Sequence, residues 1–256
     1  ALDATTGKLK GYYQFTPHDV WDWDAQEPLV LVDAPWQGQP RKLLLQANRN
    51  GFFYVLDRAS GKLLLGKPFV KKLTWAREIG PNGRPVINPN QEPAAKGTKT
   101  CPAVLGATNW WSTAFDASSG LYYVQVIESC GVYSKGPVAW EAGRGFMGGS
   151  SRNAPGDSPR RILRAIDINT GKIAWELPQV GSGESRSGTL ATAGGLVFFG
   201  EDSGALMAAD SSTGKPLWYF QTSQFLRASP MTYMFDNKQF VVLASGWNVL
   251  AFGLME

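Results

Sequence analysis

The chain has 256 residues, 43% hydrophobic and 18% charged, with a formal charge of +4; this composition supports a sizeable core and excludes wholesale disorder. Lys and Arg are scattered without a basic run interleaved with aromatics, so nucleic acid is not a predicted partner, and no stretch approaches the roughly 20 apolar residues of a membrane helix. One His and two Cys exclude zinc sites rich in those residues, while 29 Gly, 10 Trp, 8 Tyr and 13 Phe point to an all-β chain.

The first predicted element is a hairpin at the N terminus, Ala1-Leu-Asp3-Ala-Thr-Thr-Gly7-Lys8, which does not read as a secretory leader. Its pattern returns as Val55-Leu-Asp57-Arg-Ala-Ser-Gly61-Lys62 and as Ala114-Phe-Asp116-Ala-Ser-Ser-Gly120. It returns again as Ala165-Ile-Asp167-Ile-Asn-Thr-Gly171-Lys172 and as Ala208-Ala-Asp210-Ser-Ser-Thr-Gly214-Lys215. The aspartates are 54, 59, 51 and 43 residues apart. Asp caps the amides of its own turn and Gly supplies the positive φ, so each copy is a predicted β-hairpin. A repeat of four short strands at this period is a β-propeller blade, and five hairpins make four to five blades with no second domain. Further strands are predicted at Lys42–Gln46, Gly51–Leu56, Leu121–Ile127, Gly195–Gly200, Leu206–Ala209 and Gln239–Ala244. The stretches Gly80–Lys99 and Pro137–Arg160, rich in Pro, Gly and charge, read as inter-blade loops.

Three segments carry a more specific signal: Thr16-Pro-His18-Asp19-Val-Trp21-Asp22-Trp23-Asp24; Asn48-Arg49-Asn50-Gly51-Phe-Phe-Tyr-Val-Leu-Asp57-Arg58; and Thr189-Leu-Ala-Thr-Ala-Gly194-Gly195-Leu-Val-Phe198. Together they resemble the quinoprotein alcohol dehydrogenases. That resemblance implies an eight-bladed propeller binding pyrroloquinoline quinone (PQQ) and a metal ion. It further implies oxidation of an alcohol to an aldehyde, with electrons passed to a cytochrome c. The chain matches only the C-terminal half of such a subunit, and it starts inside a blade hairpin with no leader. It is accordingly expected to be a fragment or an incomplete gene product, inactive and poorly stable alone. In the family the N-terminal half supplies a metal-binding Glu and Asn, a Trp that stacks on the quinone and a disulfide between adjacent cysteines.

Residue by residue, the resemblance makes Asp22 the catalytic base, the last position of His18-Asp19-Val20-Trp21-Asp22. A carboxylate beside a Lewis-acid metal can take the hydroxyl proton while the cofactor takes the hydride. Asp24, two residues on, resembles the extra aspartate of lanthanide-dependent members, so Asp22 and Asp24 are the expected metal ligands for a lanthanide or, alternatively, Ca2+. An extended segment would put both on one side. Arg49 is expected to hydrogen-bond the quinone oxygens, and Asn109 to contact the cofactor. His18 is expected to orient the loop through hydrogen bonds. The stretch Glu184-Ser-Arg186-Ser-Gly188 departs from the family pattern, with Arg186 where a tryptophan would wall the site. Cys101 and Cys130 match a family disulfide, which would imply an oxidising compartment, the periplasm. A lone His and the lack of a Gly-x-Ser-x-Gly elbow argue against Ser-His-Asp catalysis. A non-catalytic propeller scaffold with PQQ-like repeats and a PQQ-dependent sugar dehydrogenase remain alternative readings.

Overall fold

The fold comes from a computed structural model that describes residues 1–181 and 185–254. Its strands begin with β1 (Val30–Trp36), β2 (Gln39–Ala47), β3 (Phe52–Asp57) and β4 (Leu63–Pro68), followed by β5 (Ala76–Ile79), β6 (Pro85–Ile87) and β7 (Thr98–Thr100). Next come β8 (Ala114–Asp116), β9 (Leu121–Glu128), β10 (Gly131–Lys135), β11 (Gly149–Asn153), β12 (Arg160–Asp167) and β13 (Ile173–Pro178). The chain continues through β14 (Thr189–Thr192), β15 (Leu196–Gly200), β16 (Ala205–Asp210) and β17 (Pro216–Gln221). It finishes with β18 (Met231–Phe235), β19 (Lys238–Ser245) and β20 (Asn248–Gly253).

Three antiparallel four-stranded blades follow one another in the orders β1-β2-β3-β4, β13-β12-β9-β8 and β14-β15-β16-β17, and a three-stranded sheet β18-β19-β20 comes last. The repeated turn behaves as its residues dictate. In the copy between β3 and β4, Asp57 Oδ1 accepts from the amides of Ala59 and Ser60 at 3.1 and 2.8 Å, and Gly61 takes φ 71°. The N-terminal copy closes on a single antiparallel bridge between Leu2 and Leu9. The five turns do not mark five blades, however, because the Asp116 turn joins β8 to β9 and the Asp167 turn joins β12 to β13 of the same sheet. Three four-stranded blades and one three-stranded blade result. All six strands predicted outside the turns are present, as β2, β3, β9, β15, β16 and β19, with β3 and β15 each starting one residue later than predicted. The two presumed loops are less irregular than expected. Parts of them form β6, β7 and β11, with β7 and β11 flanking β10 in a satellite sheet.

Strand alternation assigns the core. In β3, Phe53 and Val55 pack with Leu43, Leu45, Tyr122, Val124 and Ile162 between the first two blades. Phe52, Tyr54 and Leu56 point the other way, onto Trp21, Trp23 and Trp75. Blades also dock through glycine: a Cβ on Gly214 would sit 2.5 Å from the ring of Trp175, whose Nε1 donates to the Ser211 carbonyl at 3.0 Å. A Cβ on Gly171 would similarly meet Lys67 at 2.8 Å. Trp218 occupies the equivalent place in the third blade. It packs edge-on against Phe252, with ring centroids 5.3 Å apart, and keeps 40% of its surface exposed.

Candidate active site

The turn between β2 and β3 lies at the end of its blade opposite the Asp57 turn, and it is built to present one side chain. Asn48 Oδ1 accepts from the Asn50 amide at 3.1 Å, Asn50 Oδ1 from the Phe52 amide at 3.0 Å, and Gly51 sits at φ 94°. Asn50 Nδ2 donates to the hydroxyls of Thr16 and Tyr54 at 3.1 and 3.0 Å, which ties this turn to the acidic segment before β1. The two asparagines are therefore turn residues, and Arg49 between them is the one free to face a ligand. It is 5% exposed. Its Nη2 donates to the Val104 carbonyl and lies 3.9 Å from Asp22 Oδ2. Its Nε is buried with no hydrogen-bond partner among the described residues. A buried guanidinium nitrogen without an acceptor is costly unless a ligand supplies one.

Asp22 and Asp24 come to this place through their neighbours. Trp21 and Trp23 are 1% exposed and stack with ring centroids 4.9 Å apart; their Nε1 atoms donate to the carbonyls of Gln91 and Ala103 at 3.0 and 3.1 Å. With both indoles buried, Asp22 and Asp24 remain exposed. The segment is not a plain extended strand, since Asp22 has φ 66°, a left-handed conformation uncommon outside glycine. His18 does not hold the loop as expected: it is exposed and has no hydrogen bond among the described residues. Asp19 does that work, its carboxylate accepting from the amides of Trp21 and Trp23 at 2.9 and 2.7 Å.

Asn109 lies beside this group and reaches it indirectly. Its Oδ1 accepts from Gln26 Nε2 at 2.8 Å, its Nδ2 donates to the Leu105 carbonyl at 2.8 Å, and the Ala107 amide donates to the Arg49 carbonyl at 2.8 Å. Close packing fixes the approach, because a Cβ on Gly106, at φ 79°, would fall 2.6 Å from Arg49 Cβ. The Cys101–Cys130 disulfide closes the loop carrying Ala103, Val104 and Asn109. Arg186 is half-buried on the wall of a cavity of about 460 Å3 that also includes Val104 and Leu105; Glu184 lies outside the described residues.

One buried acid beside Arg49 had no sequence signal. Glu27, buried, accepts from the Arg49 amide through Oε1 at 2.9 Å and from Asn48 Nδ2 through Oε2 at 3.4 Å. Burial pushes its carboxyl up to about 8, against the amides of Glu27 and Arg49 and the Arg49 charge, while the Asp24 charge adds to the rise. Glu27 follows the acidic motif by only three residues, and nothing in its local pattern separates it from a surface acid.

These residues fit an electron-rich, oxygen-bearing ligand at Arg49. For a cation they offer two hard carboxylates, Asp22 and Asp24, and no cluster of three metal-binding side chains occurs among the described residues. A calcium-sized ion takes 6–8 oxygens, so two carboxylates form part of a site.

Comparison with known proteins gives the family of the chain. The family of PQQ-containing glucose, ethanol and alcohol dehydrogenase β-propeller domains matches residues 1–68 and 157–241, which include Asp22, Asp24 and Arg49. Quinoprotein alcohol dehydrogenase PedH of Pseudomonas putida is 38% identical over 256 residues, covering 96% of this chain and 42% of PedH. A lanthanide-dependent methanol dehydrogenase of Methylorubrum extorquens is 36% identical, covering 96% of this chain and 43% of that protein. The crystal structure of quinohemoprotein alcohol dehydrogenase from Comamonas testosteroni superposes with a TM-score of 0.88 at 33% identity, covering 97% of this chain and 38% of that one. A europium-containing methanol dehydrogenase gives 0.82 at 34% identity, with 91% and 42% covered. The chain spans about two fifths of the length of these relatives. With more than half of its residues matched to that propeller domain, and with the blade repeats in place, the chain belongs to the PQQ-dependent glucose/ethanol/alcohol dehydrogenase β-propeller family.

Proposed function

We propose that the chain forms the C-terminal part of a periplasmic PQQ-dependent alcohol dehydrogenase that passes electrons to a cytochrome c. The observation that carries this reading is the buried Arg49 guanidinium, 3.9 Å from Asp22 and with its Nε unpartnered among the described residues. Bound PQQ supplies the hydride acceptor and its metal the Lewis acid. Arg49 would hold the quinone oxygens of PQQ with charge-assisted donors. Asp22 accepts the alcohol's hydroxyl proton on a carboxylate oxygen as the carbon–hydrogen bond is broken, leaving an aldehyde. Asp22 and Asp24 bind the cation, whose further ligands lie, by the family resemblance, on the part of the subunit this chain does not span. Asn109 supports the cofactor loop through Gln26 and the Leu105 carbonyl. The disulfide accords with an oxidising compartment.

The test joins the chain to the N-terminal region of a relative and measures dye-linked ethanol oxidation with PQQ plus La3+ or Ca2+. Asp22→Asn is expected to lower kcat by about 10²–10⁴ with either ion, the range for a general base. Asp24→Ala is expected to abolish La3+-supported activity while Ca2+-supported activity survives. Full activity of Asp22→Asn would remove the base assignment, and unchanged La3+ dependence in Asp24→Ala would remove the lanthanide assignment.

A further inference from the structure

The cavity of about 460 Å3 beside the candidate site carries four cations on its described wall, Lys71, Arg160, Arg161 and Arg186, against two acids, Glu176 and Asp202. Its wall includes Val104, whose carbonyl accepts from Arg49, and Leu105, whose carbonyl accepts from Asn109, so it shares a wall with the proposed cofactor site. Two of its cations are matched: Lys71 Nζ lies 2.7 Å from Glu176 Oε1, and Arg161 Nε lies 3.4 Å from Asp202 Oδ1. Below them Arg164, fully buried, is itself neutralised by Glu128 at 2.6 Å and Glu176 at 3.1 Å. Arg186, half-buried, and Arg160, exposed at the rim, also line the cavity, and neither side chain has an ion pair or hydrogen bond among the described residues. Two guanidinium groups on one partly enclosed cavity, with the acids on its described wall, Glu176 and Asp202, engaged by other cations, are the donor set for a planar anion.

We infer that this cavity is an anion subsite, centred on Arg186 and Arg160, that receives the carboxylate of a hydroxy-acid substrate whose alcohol carbon is presented to the site at Asp22 and Arg49. The inference rests on the proposed dehydrogenase reading for its direction. Its chemistry, carboxylate recognition, is testable without that activity. Arg186 stands where the family resemblance expects a tryptophan, so the exchange of an apolar wall for a guanidinium would alter which alcohols fit. A hydroxy acid gains a charge-assisted pair that an uncharged diol of the same length lacks.

The test uses the chain as it stands, with circular dichroism confirming the fold of each variant. Glycolate and ethylene glycol are titrated into it by calorimetry at low salt. Glycolate is expected to bind at least about tenfold more tightly than the diol, and Arg186→Gln or Arg160→Gln to weaken glycolate about tenfold, the size of one lost charge-assisted contact. Arg186→Lys should recover part of the loss, and raising NaCl should weaken glycolate alone. Equal affinity for glycolate and ethylene glycol, no glycolate binding, or an unchanged Arg186→Gln variant would each overturn the inference. A parallel PQQ titration separates the sources of the carboxylate: if Arg186→Gln weakens PQQ and PQQ competes with glycolate, the subsite serves the cofactor and the substrate assignment falls. Failure of Arg49→Ala to affect PQQ would instead count against the dehydrogenase reading and leave the glycolate result standing.

Discussion

Replacing Glu27 by Gln tests how the site is held together. A carboxyl whose pKa rises from its ordinary 4.5 to about 8 on folding binds its proton more tightly in the native chain than in the unfolded one. The native state is then favoured by this group below pH 4.5, and that contribution is lost progressively as pH climbs through 8. Each pKa unit is worth about 1.4 kcal/mol, which puts the total swing at roughly 3–5 kcal/mol. Glutamine keeps an oxygen for the Arg49 amide and cannot ionise. Urea unfolding at pH 5, 7 and 9 should therefore show wild type and Glu27→Gln within about 1 kcal/mol at pH 5. At pH 9 the variant should be more stable by several kcal/mol, an upward midpoint shift of about 1–2 M for a typical slope. Parallel pH profiles for the two proteins would refute the reasoning, because they would mean that the carboxylate is solvated or paired in the native chain.

Other perturbations follow from the same contacts. Arg164→Leu leaves Glu128, fully buried and bound to the Lys71 and Lys72 amides at 2.7 and 2.9 Å, without its cation; a loss of about 3–5 kcal/mol in denaturant unfolding is expected. Reducing the Cys101–Cys130 bond, which spans 29 residues, should lower stability by about 3–4 kcal/mol, measured as the shift in urea midpoint with and without reductant. Gly106→Ala must displace Arg49, since the new methyl would meet Arg49 Cβ at 2.6 Å. It should both weaken PQQ binding and lower the thermal midpoint, whereas Gly214→Ala, against Trp175, should lower the midpoint with PQQ affinity unchanged.

The blade architecture is legible in the sequence because the Asp-to-Gly turn is local chemistry: an acceptor, two amides and one positive φ, all within five residues. What that turn does not encode is which strands its hairpin joins, so the Asp116 and Asp167 copies, 51 residues apart, could not be assigned to one sheet from their spacing. The satellite sheet escapes for a related reason. β7 and β11 are short, polar strands stabilised by pairing with β10, and their composition reads as loop. At the site, Asp22, Asp24 and Arg49 stand in recognisable motifs, while Glu27, Gln26 and Asp19 matter through partners far along the chain or through backbone amides that no side-chain pattern announces. His18 shows the converse, a conspicuous residue in the motif whose presumed structural work is carried by its neighbour.

The most direct test of the central claim is equilibrium dialysis of PQQ against the chain with Ca2+ or La3+ present, in wild type and in Arg49→Ala. Removing the guanidinium takes away charge-assisted donors to the quinone oxygens, so binding by the isolated chain, weak as an incomplete ring of blades should make it, is predicted to fall a further tenfold or more. Equal PQQ affinity in the two proteins would contradict the account, for it would place the cofactor somewhere other than between Arg49 and the paired aspartates.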